Sequence, residues 1–260
     1  MLGNQLLVEM KRAFTIRNLL TWIGIIILLP AVRFYNIKEG YQFFEPIEVF
    51  QEMVSTIIPL LFPAIIIIIY LPLFLQELRN NFVLYSRPRI PLNTYLLSKI
   101  IVNAFLTGGI VFLLIFFPFV FAVYLEPHLG IIFYSPKDAN SVIPMFTFSQ
   151  LLEHGNLAYG LIFSLWVSIN AVIYSSIALL LMLVLSNPFV ALSVPFLFYH
   201  IFNFVTGILN VPMFSPISTI FPFNIVQQPL WTVLVPFLFL LIIFIGLFVF
   251  TMRKQKEWLM

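Results

Sequence analysis

Long apolar runs, separated by short polar segments, are the main pattern along the chain. A helix needs roughly 20 apolar residues to cross about 30 Å of hydrocarbon, and a shorter run can cross with help from its flanking residues. Six runs reach or approach this length: Leu19–Val32, Ile57–Leu75, Ile100–Leu125, Leu157–Leu185, Phe189–Leu209 and Trp231–Met252. The pattern predicts an all-α integral membrane protein with six transmembrane helices in a single transmembrane domain, residues 1–260.

The first run is the shortest. Its 14 residues would form a helix about 21 Å long, so we predict that Arg17 and Arg33 reach past its ends or that the bilayer thins around it. A basic segment before a short apolar run also fits a signal peptide. The run ends in Pro30-Ala31-Val32-Arg33 without a small-x-small cleavage site, which favours a span.

The segment before the first span has the pattern of an amphipathic helix. Apolar residues recur every four positions, at Leu2, Leu6, Met10 and Phe14, whereas Asn4, Glu9, Lys11, Arg12 and Thr15 would face elsewhere. Such a helix lies flat in the membrane interface. We therefore predict an N-terminal interfacial helix over residues 1–17, with a disordered tail as the alternative.

The basic residues predict the orientation of the spans. Lysine and arginine are enriched in short loops that remain in the cytoplasm. With both termini inside, only Arg33, Lys38 and Lys137 of the 13 basic residues lie outside. We predict a multi-pass protein of the cytoplasmic membrane with both termini in the cytoplasm and external loops at residues 126–156 and 210–230.

Composition supports a membrane protein and excludes several other classes. The chain is 62% hydrophobic and 9% charged, against about 25% charged in soluble domains. It has no cysteine, which excludes disulfides and thiolate metal sites. The net charge of +3 is too small to indicate a nucleic-acid partner, so lipid is the expected environment.

The chain lacks the residues that membrane enzymes and pumps use. Within the six predicted spans there is no Asp, Glu, Lys or Arg, which disfavours an ion-coupled carrier, although sodium can be bound by carbonyls and hydroxyls. No intramembrane-protease motif occurs, and His200 with Asn203 is interpreted as a hydrogen-bonding pair. We predict no catalytic residue, no metal and no cofactor in this chain.

The chain also has no Gly-x-x-x-x-Gly-Lys-Ser/Thr loop, so it does not bind ATP phosphates by that motif. Energy for uphill transport would enter from a partner at the cytoplasmic surface. That surface has one substantial loop, residues 76–99, with Glu77 near its start, Pro88 and Pro91 within it, and Lys99 at its end.

Here the sequence resembles the permease subunits of bacterial type-2 ABC exporters, the ABCG-like family. The matching positions are Glu77, Leu84, Pro88, Arg89 and Lys99, with Leu2–Phe14 as the connecting helix and residues 211–229 as the half-inserted segment before the last span. The resemblance implies that the loop couples to a motor through Glu77, Leu78, Arg79, Leu84, Arg89 and Lys99. Leu78, Arg79 and Asn80 replace the small residues that often follow the acidic position.

The resemblance also implies partners for this chain and transport out of the cell. A cytosolic nucleotide-binding ATPase would hold ATP and Mg²⁺, and a second permease would complete a homo- or heterodimer. The second and fifth spans would line the path. The uncharged spans themselves suit an amphipathic or hydrophobic cargo such as a drug, an antimicrobial peptide or a lipid-like molecule, although their polar side chains could equally join helices to one another. The candidate lining residues of the path are weakly polar: Asn170, Tyr174, Ser175, His200 and Asn203. An intramembrane enzyme, an ion-coupled secondary transporter and a sensor or scaffold are the alternatives.

Three glutamates outside the predicted spans share a helical spacing. Glu45, Glu48 and Glu52 follow one another by three and four residues and would lie on one face of a helix that enters the second span. That face would attract a cationic peptide, or it would simply be solvated.

Overall fold

A computed structural model describes residues 2–80, 91–136 and 145–254 of the chain. The described residues are almost entirely helical. We number the nine α-helices in chain order as α1 (Leu2–Ala13), α2 (Ile16–Ile37), α3 (Pro46–Ser55), α4 (Ile57–Arg79), α5 (Leu92–Val120), α6 (Asn156–Val184), α7 (Pro188–Ile208), α8 (Pro216–Ile220) and α9 (Trp231–Lys254). α2 contains a π-helical turn at Gly24–Leu28, and α5 continues through another at Phe121–Leu125 to a last turn at Glu126–Leu129.

Six of these helices are long and apolar enough to span a membrane, namely α2, α4, α5, α6, α7 and α9. The prediction of six spans is confirmed at this level. The prediction that the first span is short is wrong, because α2 has 22 residues and is therefore about 33 Å long. The helix includes Arg33, whose guanidinium lies 2.6 Å from the Glu52 carboxylate of α3, so the basic residue does not end it.

Successive spans run in alternate directions and therefore define two ends of the bundle. The C-terminal end of α4 and the N-terminal end of α5 lie together, and we call this the Glu77 end. The opposite end, where α5 finishes, carries Glu126 and is called the Glu126 end. α6 is the most buried of the six spans and α9 the least.

Close packing between α5 and α6 holds the centre of the bundle. The backbone at Gly160 lies against the ring of Phe119, and the Ser168 hydroxyl donates to the Gly108 carbonyl at 2.7 Å. Small residues and interhelical hydrogen bonds are the usual means by which membrane helices approach one another closely. α5 and α6 are therefore closely packed, and α5 begins at the Glu77 end.

The segment between α7 and α9 folds back onto the bundle. It forms a 3₁₀ turn at Pro212–Phe214 and the short helix α8. The backbone N–H of Ile217 donates to Asn203 Oδ1 at 2.9 Å, and the Trp166 indole donates to the Thr219 carbonyl at 2.8 Å. These bonds tie the segment to α7 and α6. Its insertion into the membrane stays a prediction.

The N-terminal helix α1 packs against the first turns of α5. Leu6 and Met10 contact the core, as their spacing predicts, whereas Leu7 and Val8 are exposed. Whether α1 lies in a membrane interface stays a prediction. Its contact with α5 brings its polar residues to the Glu77 end.

Candidate functional site

Three helices bring charged side chains together at the Glu77 end. α1 contributes Glu9 and Arg12, α4 contributes Glu77 from its last turn, and α5 contributes Lys99. Lys99 is fully buried, and Glu9 and Glu77 are 3% and 2% exposed. We call these four residues, together with Tyr95, the charge cluster.

Lys99 is the centre of the charge cluster. Its Nζ atom lies 2.5 Å from the Glu77 carboxylate and also forms a short ion pair with Glu9. Arg12 Nη1 lies 2.9 Å from Glu77 Oε1, and the Tyr95 hydroxyl donates to Glu77 Oε2 at 2.7 Å. Both carboxylates are therefore paired, and one ammonium group joins α1, α4 and α5.

Local helix geometry positions these side chains. Tyr95 and Lys99 are four residues apart on α5 and so share one face of the helix. Gln5 and Glu9 are likewise four apart on α1, and the Gln5 amide donates to Glu9 Oε1 at 3.1 Å. Ser98 is also buried, and its hydroxyl donates to the Tyr95 carbonyl at 2.7 Å. Glu9 is therefore bonded to a residue of its own helix, and Glu77 to Tyr95 of the neighbouring helix α5.

The electrostatics of the charge cluster are balanced. Two carboxylates face one lysine and one arginine, so the cluster has no net charge when all four are ionised. Glu77 occupies the last turn of α4, where the negative end of the helix dipole disfavours an acid. Its stabilisation therefore comes from its partners on α1 and α5, not from its own helix.

The prediction of a bundle without buried charge is wrong. The predicted spans ended at Leu75 and began again at Ile100, but α4 and α5 continue past these limits and carry Glu77 and Lys99 into the protein interior. The prediction that Glu9 faces away from the apolar side of α1 is also wrong, because Glu9 is buried. Apolar periodicity could not predict the burial of Glu9, because the Lys99 that pairs with it is 90 residues away in the sequence.

The predicted motor-coupling residues have different positions. Glu77 and Lys99 meet in the charge cluster. Leu78 packs against the edge of the core. Arg79 points elsewhere, with its guanidinium 4.9 Å from the centre of the Phe189 ring at the start of α7. Leu84 and Arg89, with Pro88, lie outside the described residues.

Contacts outside the charge cluster link α4 to two other spans. The Trp22 indole of α2 donates to the Ile69 carbonyl of α4 at 3.0 Å in a buried position, and Phe14 packs edge-on against Trp22 with ring centres 5.3 Å apart. The Arg79–Phe189 contact links α4 to α7. These contacts therefore join α2 to the segment after α1, α2 to α4, and the end of α4 to the start of α7.

The predicted path residues make contacts with different neighbouring helices. Ser175 lies between α5 and α6, where its hydroxyl receives the Asn103 amide at 2.6 Å. Tyr174 packs edge-on against Tyr199 of α7, with ring centres 6.0 Å apart. Asn203 binds the backbone of the α7–α9 segment through its Oδ1 atom.

Several of these path residues nevertheless keep an unused polar atom. Among the described residues, four buried atoms of the predicted path have no hydrogen-bond partner: Asn170 Oδ1, Tyr174 Oη, His200 Nε2 and Asn203 Nδ2. A separate groove of about 440 Å³ lies between α4 and α7. Its described lining is apolar apart from Ser193, so the second and fifth spans do border an open space, but the predicted polar residues do not face it.

No protein-family model, curated protein or solved structure matches this chain.

Proposed function

We propose that this chain is the membrane-spanning subunit of an exporter that is powered by a separate ATPase. The charge cluster carries the proposal. It joins the N-terminal helix to the end of α4 and the start of α5, which belong to the segment 76–99 where the resemblance to type-2 ABC exporters places the docking of a motor.

The physical argument concerns how force would pass into the bundle. A partner that pushes on the segment 76–99 would move the end of α4 and the start of α5 directly. Because Lys99 pairs with both Glu77 and Glu9, these ends cannot separate from each other or from α1 without exposing buried charges. Breaking a buried pair costs about 3–5 kcal/mol, so the three helices would move as a unit.

The proposal includes the orientation of the chain and its partners. The Glu77 end faces the cytoplasm, as the distribution of basic residues indicates. A cytosolic nucleotide-binding subunit holds ATP and Mg²⁺, and a second permease completes the dimer. The cargo is amphipathic or hydrophobic, which fits the apolar groove between α4 and α7.

Cysteine labelling tests the orientation. The chain has no cysteine of its own, so each introduced cysteine is a single reporter. We expect a membrane-impermeant maleimide to label Glu39→Cys in intact cells, and Lys11→Cys only after permeabilisation. Both positions are exposed in the structure. The reverse labelling pattern would contradict the proposed topology.

Crosslinking tests the motor. A photo-crosslinking residue at Leu84 is expected to capture a nucleotide-binding subunit, whereas the same residue at Tyr134, near the Glu126 end, captures none. The captured complex should hydrolyse ATP, and cargo should stimulate hydrolysis. We expect Glu77→Gln to reduce this stimulation more than basal hydrolysis, because it removes a charge from the charge cluster. The exposed control Glu39→Gln leaves the cluster intact and should reduce neither. Stimulation that is equal in both variants would refute the coupling role of Glu77.

A second candidate function is ion-coupled secondary transport. Buried Glu77 and Lys99 favour it, because ionisable residues in membrane helices often relay ions. Their pairing and their position at one end of the bundle, away from its middle, favour the coupling role. Accumulation of a solute by the chain alone in liposomes under an ion gradient would replace the exporter proposal with this one.

A further inference from the structure

A cavity of about 290 Å³ opens at the Glu126 end. One wall is the extended segment 41–44 before α3, and another is a polar face of α3 itself. The rings of Phe146 and Phe223 close the remaining side, and they pack edge-on with centres 5.5 Å apart. The cavity is therefore lined by aromatic rings and by the polar side chains Glu48, Gln51 and Glu52.

Backbone and side-chain bonds fix the wall formed by segment 41–44. The Ser135 N–H donates to the Phe43 carbonyl at 2.9 Å, and the Gln42 amide donates to the Ser135 hydroxyl at 2.9 Å. Next to this contact, Tyr134 donates to Glu126. Burial and the Glu126 carboxylate raise the pKa of Tyr134 further above its usual value. The cavity is thus preformed.

Glu52 is already neutralised by a basic residue. Arg33 Nη2 lies 2.6 Å from Glu52 Oε2, and Arg33 Nε donates to the Glu52 carbonyl at 3.2 Å. The Ser55 hydroxyl also lies 3.2 Å from the same carboxylate. Glu52 therefore contributes little net charge to the cavity.

Glu48 is different, because only part of its carboxylate is used. The residue is 8% exposed. Its Oε2 atom accepts the Phe44 N–H at 2.9 Å, from the residue before the N-cap Glu45, so this oxygen fixes the chain at the start of α3. Its Oε1 atom is buried and has no hydrogen-bond partner among the described residues. This bond accounts for one oxygen, and the other is left with the cost of burial unrelieved.

The charge and the aromatic rings of the lining indicate which kind of ligand would pair with the buried Glu48 Oε1 atom. Among the described residues, the Glu48 charge of the lining has no basic partner, and aromatic rings such as those of the lining attract cations through their faces. A neutral apolar molecule would leave Glu48 unpaired, and an anion would be repelled. A quaternary ammonium ion has no N–H to give to Oε1, and a guanidinium would leave most of its five donors unused. The volume lies at the small end of ligand cavities.

We propose that this cavity binds a protonated amine on a small apolar body, with Glu48 as its counter-ion. The source is either a free amine or the lysine side chain of a peptide. The site does not depend on the exporter function, and binding is measured on the chain without an ATPase.

The test measures binding of benzylammonium by calorimetry to the purified chain in nanodiscs, with empty nanodiscs subtracted. We expect saturable binding that Glu48→Gln weakens at least ten-fold. The glutamine keeps an acceptor for the Phe44 N–H, so the helix start is retained. The matched control Glu39→Gln removes the same charge from an 84% exposed side chain in the preceding loop and is expected to change binding less than two-fold.

A second variant covers the outcome that Glu48→Gln does not fold. Glu52→Gln alters a partly exposed side chain and leaves Arg33 without its counter-ion beside the cavity, so it should also weaken amine binding. Competition by N-acetyl-lysinamide would assign the site to peptide side chains, and lack of competition to free amines. The proposal would be overturned by absent binding to the wild type, by equal binding of neutral benzyl alcohol, or by unchanged binding in a folded Glu48→Gln variant. If Glu48→Gln does not fold, unchanged binding in Glu52→Gln would overturn it.

Discussion

Removal of the Lys99 charge tests whether the charge cluster holds the three helices together. Lys99→Met keeps an unbranched side chain of similar length but leaves Glu9 and Glu77 buried with Arg12 alone. Removing one partner of a buried ion pair typically costs about 3–5 kcal/mol. Because Lys99 is fully buried and contacts both acids, we expect a loss of this size in the free energy of unfolding.

A second substitution distinguishes a charge effect from lost packing. Glu9→Gln in the Lys99→Met background restores the balance, because Glu77 then faces Arg12 alone. The double variant should be more stable than Lys99→Met, with a coupling energy of about 0.5–3 kcal/mol. If the two substitutions are simply additive, Lys99 does not act through its pairing with Glu9.

Unfolding of the purified chain in mixed micelles gives the free energies, and hydrogen exchange reports on α1. We expect the backbone amides of residues 2–13 to exchange faster in Lys99→Met. The matched control is Lys38→Met, because Lys38 pairs at 3.4 Å with the exposed Glu39 and exposed pairs contribute at most about 1 kcal/mol. Equal stability losses in Lys99→Met and Lys38→Met would refute the reasoning.

Two further substitutions test the packing around the bundle. Trp22→Phe removes the indole donor to the Ile69 carbonyl and should lower the free energy of unfolding by about 0.5–1.5 kcal/mol, because a buried hydrogen bond between α2 and α4 is lost; an unchanged value would refute the link between α2 and α4. Gly160→Ala places a methyl group 2.3 Å from the buried Phe119 ring and should cost about 1–3 kcal/mol. In Gly109→Ala, nothing lies within 4 Å of the new group, so equal melting temperatures for the two alanine variants would contradict the close packing.

The span centres could be predicted from the sequence, but the helix ends could not. Apolar runs locate a helix because lipid contact demands them. A helix continues past its apolar run when another segment compensates its polar residues. α4 continues to Arg79 because Glu77 meets Lys99, and α2 continues to Ile37 because Arg33 meets Glu52. These partners are distant in sequence, so hydropathy does not reveal them.

The candidate site was predicted only in part for the same reason. Glu77 and Lys99 were identified by their resemblance to a family pattern, which marks positions without giving their contacts. Glu9 was assigned to the polar face of α1, because periodicity sorts residues by hydrophobicity and treats a paired acid like a solvated one. The structure instead buries Glu9 and exposes Leu7. When a single lysine lies at the start of a span, a glutamate in an adjacent amphipathic helix is a candidate for its buried partner.

The charge cluster is a costly way to join three helices, and that cost bears on its role. Apolar residues of similar volume in place of a buried ion network are often neutral or stabilising by about 1–4 kcal/mol. Stability alone therefore does not account for Glu9, Glu77 and Lys99. Partial separation of the cluster would leave buried charges unpaired. Under the exporter proposal, the cluster therefore keeps α1, α4 and α5 together at the end where the proposed motor would act.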